Sequence, residues 1–173
     1  MKNKTLIIIT TTFVLFCFFI FLKGLNNPNT FVPEKKSGKQ ILSFSAKKLF
    51  NDDNISLDSL FVEDKIYLLN LWSSWCGPCR DEHIYLMKLS KNPSIKIIGI
   101  NYRDNLFNAK RFIKQLGNPY SEILVDKDGT IAINLGAYGV PETYVLNKNK
   151  KILNKFVGPL NPQLLKEIEN LIK

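Results

Sequence analysis

Residues 65–89 read Lys65-Ile66-Tyr67-Leu68-Leu69-Asn70-Leu71-Trp72-Ser73-Ser74-Trp75-Cys76-Gly77-Pro78-Cys79-Arg80-Asp81-Glu82-His83-Ile84-Tyr85-Leu86-Met87-Lys88-Leu89, and this stretch decides the fold. Residues 65–72 form a short apolar run of the kind that makes a buried strand. Residues 80–89 place Ile84, Leu86, Met87 and Leu89 at the spacing of an amphipathic helix. Cys76 and Cys79 therefore fall at a strand-to-helix turn, with Pro78 in the first helical turn, where a missing N–H costs little. At i and i+3 the two cysteines share one face of that turn, close enough to form a disulfide. The helix N-terminus directs N–H groups and partial positive charge at Cys76, which favours its thiolate. A thiolate beside a second thiol is what thiol–disulfide exchange requires.

Two other readings of the Cys-x-x-Cys pair stand beside this one. Half of a four-ligand zinc site would need more donors, and the remaining cysteine, Cys17, lies in a hydrophobic segment; His83 could supply a third ligand. An inert structural disulfide is the other. The Gly-Pro pair and the preceding strand favour redox chemistry.

Working outward, residues 5–22 are 18 residues without a charge, close to the length that spans a bilayer. Lys2 and Lys4 precede the run and Lys23 follows it, a slight bias toward a cytoplasmic N-terminus. A cleaved signal peptide is the alternative, but no small-x-small site follows and Phe and Ile crowd the end of the run. The expected organisation is an anchor over residues 1–23, a Pro-, Asn- and Lys-rich tether over 24–39 and one globular domain over 40–173. The formal charge of +9 includes Lys2, Lys4 and Lys23, which leaves 21 basic against 15 acidic residues, or +6, for the rest. These charges are scattered and no Arg-aromatic interleaving suggests nucleic-acid binding. Cys76 and Cys79 are the only cysteines outside the apolar segment, so there is no disulfide framework. An anchor of this orientation puts them outside the cytoplasm, where disulfides persist and a reductant must be supplied.

The remaining pattern predicts a buried strand over 94–100, an amphipathic helix over 106–116 closed by Gly117, and a short strand over 122–125. It then predicts one or two helical turns over 131–135, a hairpin of 143–146 with 151–157, and a closing helix over 162–172. β-α-β followed by a hairpin and a helix is the order of a thioredoxin-like α/β domain, a central mixed sheet flanked by helices. Trp72-x-x-Trp75-Cys76-Gly77-Pro78-Cys79 resembles the thioredoxin signature, and Val140-Pro141 resembles the site of that fold's cis-proline. Further strings are similar to the cytochrome c maturation thioredoxins, the DsbE/CcmG family. These are Cys79-Arg80-Asp81-Glu82-His83, Gly99-Ile100-Asn101-Tyr102-Arg103-Asp104, Leu116-Gly117-Asn118-Pro119-Tyr120, residues 136–143 (Gly-Ala-Tyr-Gly-Val-Pro-Glu-Thr) and Val157-Gly158-Pro159-Leu160. The N-terminal anchor also matches that family.

The resemblance implies an exposed attacking thiolate at Cys76, a resolving thiol at Cys79, and Trp75 packed beside them to limit solvent access. It implies that Val140 and a cis Pro141 present backbone groups to an extended substrate. Glu82, one helical turn after Cys79, could tune a thiol or relay a proton, against the plainer reading of an exposed helix glutamate. Glu142 resembles the family's acidic groove and is expected to select substrates. Asn70 stands where thioredoxins usually carry a buried aspartate that accepts a proton; an amide cannot titrate, which adds weight to Glu82. His83 is expected at the surface or capping the helix.

The activity so implied is reduction of protein disulfides by a single-pass protein of the bacterial inner membrane, with its catalytic domain on the periplasmic side and no metal or cofactor. Its implied substrate is the disulfide of the Cys-x-x-Cys-His haem site of apocytochrome c, or of the chaperone that holds it. A membrane electron donor of the DsbD/CcdA type would re-reduce the pair, and membrane lipid would contact the anchor. A general periplasmic reductase, serving for example copper-site assembly proteins, is one rival. A non-catalytic module that binds apocytochrome or metal is another.

Overall fold

The computed structural model describes residues 2–26, 38–51 and 53–171, in two units. The first holds one helix, α1 (Lys2–Asn26). Its stretch Lys4–Lys23 is long and apolar enough to cross a membrane, and every side chain along it is exposed. Twenty residues at about 1.5 Å each make roughly 30 Å, the thickness of a hydrocarbon core. The hydroxyls of Thr10, Thr11 and Thr12 donate to the carbonyls of Leu6, Ile7 and Ile8 at 2.8–3.0 Å, so these polar groups are satisfied within the helix. The helix continues through Asn26, so the first residues of the expected tether are helical. Residues 27–37 lie outside the described residues. Gly38 and Lys39 exchange backbone hydrogen bonds of 2.8 Å with Ile152 and belong to the domain rather than to the tether.

The second unit is built on one seven-stranded mixed sheet in the order β2-β1-β5-β4-β3-β6-β7. The strands are β1 (Ser45–Lys48), β2 (Asn54–Ser56), β3 (Ile66–Trp72), β4 (Ile95–Tyr102), β5 (Glu122–Asp126), β6 (Glu142–Leu146) and β7 (Ile152–Val157). The helices are α2 (Gly77–Leu89), α3 (Leu106–Leu116), α4 (Thr130–Leu135) and α5 (Pro162–Asn170). β3, β4 and β5 are parallel neighbours, and β6 and β7 continue the sheet antiparallel from β3. The expected elements from residue 65 onward are all present, within a few residues at their ends. The hairpin of β1 and β2, followed by a 3₁₀ turn Leu57–Leu60, is additional and pairs antiparallel with β5.

This topology decides which face carries which helix. The β3-α2-β4 and β4-α3-β5 crossovers step the same way along the sheet, and right-handed crossovers then put both helices on one face. Strand alternation divides β3 accordingly. Leu68 and Trp72 join Leu86 and Leu89 of α2, Phe112 and Ile113 of α3 and Ile168 of α5 in one core. Tyr67, Leu69 and Leu71 join Ala132 and Leu135 of α4 in the other. Asn70 has the parity of Leu68 and Trp72, so its amide enters the α2 side. On β4 this face carries Gly99, where a Cβ would lie 2.9 Å from Trp72 Nε1 and 3.0 Å from the Tyr120 ring. The missing side chain leaves room for Trp72 and Tyr120 to stack, with ring centroids 5.7 Å apart.

At the C-terminal end of β3, the register pairing Leu71 with Glu142 brings Pro141 alongside the strand end that leads to Cys76. The Val140–Pro141 peptide bond is cis, and Pro141 is buried. The segment before it is held by a buried ion pair. Lys155 Nζ on β7 lies 2.8 Å from Glu142 Oε2, with side-chain exposures of 3% and 1%. The same ammonium donates to the Gly136 carbonyl at 3.0 Å and sits 4.5 Å and 5.0 Å from the Tyr138 and Tyr144 ring centres. Glu142 Oε1 accepts the backbone N–H groups of Tyr138 and Gly139 at 2.7 and 3.3 Å.

Candidate functional site

β3 delivers the chain to the redox motif through Ser73, Ser74 and Trp75, and that loop is tied down from β4 and the start of α3. Asp104 accepts from Ser74 N–H at 2.6 Å, Ser74 Oγ at 2.7 Å, Asn101 Nδ2 at 2.9 Å and Asn105 N–H at 2.7 Å. The Ser73 hydroxyl donates to the Tyr102 carbonyl. Cys76 is then the N-cap of α2, with Gly77 and Pro78 opening the helix. This fits proline's tolerance for the first turn. Cys76 and Cys79 form a disulfide, with Cα atoms 5.3 Å apart. The Cys79 N–H points at Cys76 Sγ from 3.1 Å, which stabilises negative charge there once the bond is reduced.

In this oxidised form Cys76 is 5% exposed and Cys79 2%, so the open attacking sulfur expected at Cys76 is only the more accessible of two nearly buried ones. Trp75 is 60% exposed, its indole N–H donating to the Arg103 carbonyl at 3.2 Å. The ring stands largely in solvent instead of packing as a core aromatic.

Behind the motif lies a buried polar cluster. Glu82 and Asn70 are both 0% exposed. Asn70 Nδ2 donates to Glu82 Oε1 at 2.9 Å and to Thr143 Oγ1 at 3.0 Å, and Asn70 Oδ1 accepts from Tyr120 OH at 2.9 Å. The Leu160 N–H donates to Glu82 Oε2 at 2.8 Å. Burial pushes the Glu82 carboxyl up to about 7, against the opposing pull of the Leu160 and Asn70 donors. The same burial, with the Glu82 charge nearby, raises the Tyr120 phenol well above its ordinary value and keeps it a neutral donor. The plain reading of Glu82 as a solvated helix charge therefore fails, because i+3 from Cys79 is the inward face of α2.

Two sequence expectations are corrected here. His83 is buried at 3% rather than at the surface. Its Nε2 donates to the Gly117 carbonyl at 3.0 Å, its ring meets Phe112 edge-on at 5.2 Å, and burial lowers its pKa. Glu142 does not line an acidic groove: its carboxylate is buried and committed to Lys155, Tyr138 and Gly139. It acts on the Val140–Pro141 segment by holding the loop before it.

Tyr120, Thr143, Asp104 and Lys155 were not singled out from the sequence. Tyr120 and Asp104 end the strings Gly117-Asn118-Pro119-Tyr120 and Tyr102-Arg103-Asp104, and a polar residue inside an apolar strand, as Asn70 is, signals that partners must exist. That Thr143 is one of the partners follows only from the register that puts it opposite Asn70.

The Redoxin family pattern matches residues 36–172. A probable thiol:disulfide interchange protein DsbE-2 of Pasteurella multocida is 34% identical over 167 residues, covering 96% of this chain and 87% of its own length. The thiol:disulfide interchange protein DsbE of Escherichia coli K12 is 38% identical over 130 residues, 75% of this chain and 70% of its own. The crystal structure of a putative thiol:disulfide interchange protein DsbE from Chlorobium tepidum superposes with a TM-score of 0.67 at 21% identity, covering 78% of this chain and 93% of that one. A thioredoxin-like fold, a Cys-Gly-Pro-Cys disulfide capping α2 and relatives of this closeness lead to one assignment: the chain belongs to the Redoxin family, in its DsbE group, and is a thiol–disulfide oxidoreductase.

Proposed function

We propose that this protein is a membrane-anchored, extracytoplasmic reductant of protein disulfides, with the disulfide of an apocytochrome c Cys-x-x-Cys-His site, or of its chaperone, as substrate. The observation that supports this best is the Cys76–Cys79 pair at the head of α2, one turn from a buried carboxyl that titrates near neutrality. In the reduced protein the Cys76 thiolate attacks one substrate sulfur, the substrate S–S bond breaks, and a mixed disulfide forms. The other substrate sulfur leaves in that step as a thiolate; Cys79 then loses its proton and attacks Cys76 Sγ, which releases the substrate sulfur held in the mixed disulfide and closes the Cys76–Cys79 disulfide. Two electrons pass to the substrate, which leaves as a dithiol after taking up two protons. The Cys79 proton passes in this reading to Glu82, one helical turn on, since Asn70 cannot titrate; the support is the buried carboxyl's value of about 7. A dithiol electron donor in the membrane, of the DsbD/CcdA type, returns the pair to its reduced state.

Reduced protein should reduce a synthetic Cys-x-x-Cys-His peptide disulfide stoichiometrically, and Cys76→Ser should abolish the reaction. Cys79→Ala should stop at the mixed disulfide, visible by intact mass. Capture through position 79 instead of 76 would reverse the assigned roles.

Glu82 links stability and rate to pH. Its folded value of about 7 lies above the ordinary 4.5, so the fold favours the protonated form. The stability this group contributes is therefore full below about pH 4.5 and falls as pH rises through about 7, by on the order of 3 kcal/mol in total. Glu82→Gln should remove that part of the pH slope in urea unfolding. It should also slow disulfide reduction, by up to about 10²-fold, and erase a rate inflection near pH 7. Superimposable pH–rate profiles for wild type and Glu82→Gln would remove Glu82 from proton transfer.

The anchor reading is supported by α1 and by its lysine flanks. A reporter enzyme fused after Lys173 should be active only outside the cytoplasm, and the membrane-extracted protein should retain its first 22 residues. A soluble product beginning near Gly24 would mean that the segment is a cleaved signal.

A further inference from the structure

On the α3 side of the redox motif a recess of about 210 Å³ is walled by Ser74, Trp75, Arg80, Asn108, Arg111 and Phe112. Two arginines border this small volume. Arg80 lies over the Phe112 ring at 4.8 Å, and Arg111 donates to Asn108 Oδ1 at 3.2 Å with its charge 5.7 Å from the Phe107 ring centre. Both are positioned by rings and an amide, and among the described residues neither forms an ion pair with a carboxylate. The carboxylate of the adjoining loop, Asp104, is already occupied by its four donors. Two like charges bordering one recess favour an anion there, and guanidinium forks bind planar carboxylates with charge-assisted hydrogen bonds.

Size and place narrow the ligand. The recess is smaller than the cavities of roughly 300–1,000 Å³ that enclose drug-sized ligands, but it suits one carboxylate with its short stem. α3 supplies one side of its walls, and the two residues before Cys76 with the residue after Cys79 supply the other, so an occupant lies close to the redox motif. The recess sits on the β4 side of β3, whereas the Val140–Pro141 segment sits on the β6 side. A chain crossing the sulfurs from that segment would arrive at it, over the exposed ring of Trp75. We propose that this recess receives an aspartate or glutamate side chain of the polypeptide whose disulfide is being reduced. Arg80 and Arg111 thereby set a preference for acidic sequence near the target cysteines.

The inference rests on the reading of Cys76–Cys79 as a reductant of protein disulfides, and the test separates the two. Peptide disulfides of the form Cys-x-x-Cys-His, carrying one glutamate at each position from two to six residues outside the cysteines, are compared with glutamine counterparts. The reactants are the reduced full chain in detergent, wild type or variant, at low and high salt. Wild type should favour the acidic member at one or two neighbouring positions by about tenfold, in KM, and less so at high salt. Arg111→Gln should collapse that ratio, Arg111→Lys should retain part of it, and Lys114→Gln, a charge loss on the same helix outside the recess, should preserve it. Equal reduction of acidic and neutral peptides by wild type would overturn the proposal. So would a ratio unchanged in Arg111→Gln, or one lowered equally by Lys114→Gln. If wild type reduces none of the peptides, the reductant reading fails and the recess proposal fails with it.

Discussion

A carboxyl group without solvent contact, Glu82, is the constraint on which the site depends. Burying an ionisable group is costly unless donors meet it, and here they come from distant parts of the chain. The Asn70 amide reaches it from β3 and the Leu160 N–H from the loop before α5. These two hydrogen bonds fix the head of α2 against the sheet on one side and the C-terminal segment on the other. They do not fully offset desolvation, so the group titrates near neutrality rather than near 4.5. A thiol proton has to be taken up and returned in the same pH range during exchange, and this match underlies the proposed role of Glu82 as its acceptor.

The sheet order arranges the surroundings. With β3 between β4 and β6, the loop carrying Cys76 opens between two flanking structures. On one flank the Lys155–Glu142 pair pins the loop before Pro141, using charge where an apolar contact would have left three backbone donors and acceptors unmatched. On the other flank Asp104 collects four donors and fixes Ser74, while Arg80 and Arg111 border a recess. Rigid supports on both flanks leave the disulfide as the reactive feature between them.

Much of this was legible in the chain itself. The apolar run of residues 65–72, the Cys-Gly-Pro-Cys turn and the helical periodicity after it specify the β-α unit, because burial and helix capping act locally. The hairpin of β1 and β2 was not legible, since its few residues, all polar except Ala46 and Ile55, find their place only through pairing with β5. Glu82 and His83 show the limit at the site. Each follows a pattern typical of a helix surface, and their burial depends on α3, Tyr120 and the Leu160 loop closing over them. Glu142 shows the converse: its acidity was visible, but Lys155, which neutralises it, is a lysine in a β-strand with no local mark of its role.

The most direct test of this account is a carbon-13 NMR titration of the Glu82 side-chain carboxyl in the oxidised protein. The expected midpoint is near 7, well above the ordinary carboxyl value of about 4.5, and it should move upward when Asn70 is replaced by aspartate, which removes a donor to the carboxylate and adds a like charge beside it. A single midpoint close to 4.5 in the wild-type protein would contradict it, because a carboxyl that ionises as it does in water is neither buried nor able to hold the Cys79 proton at neutral pH.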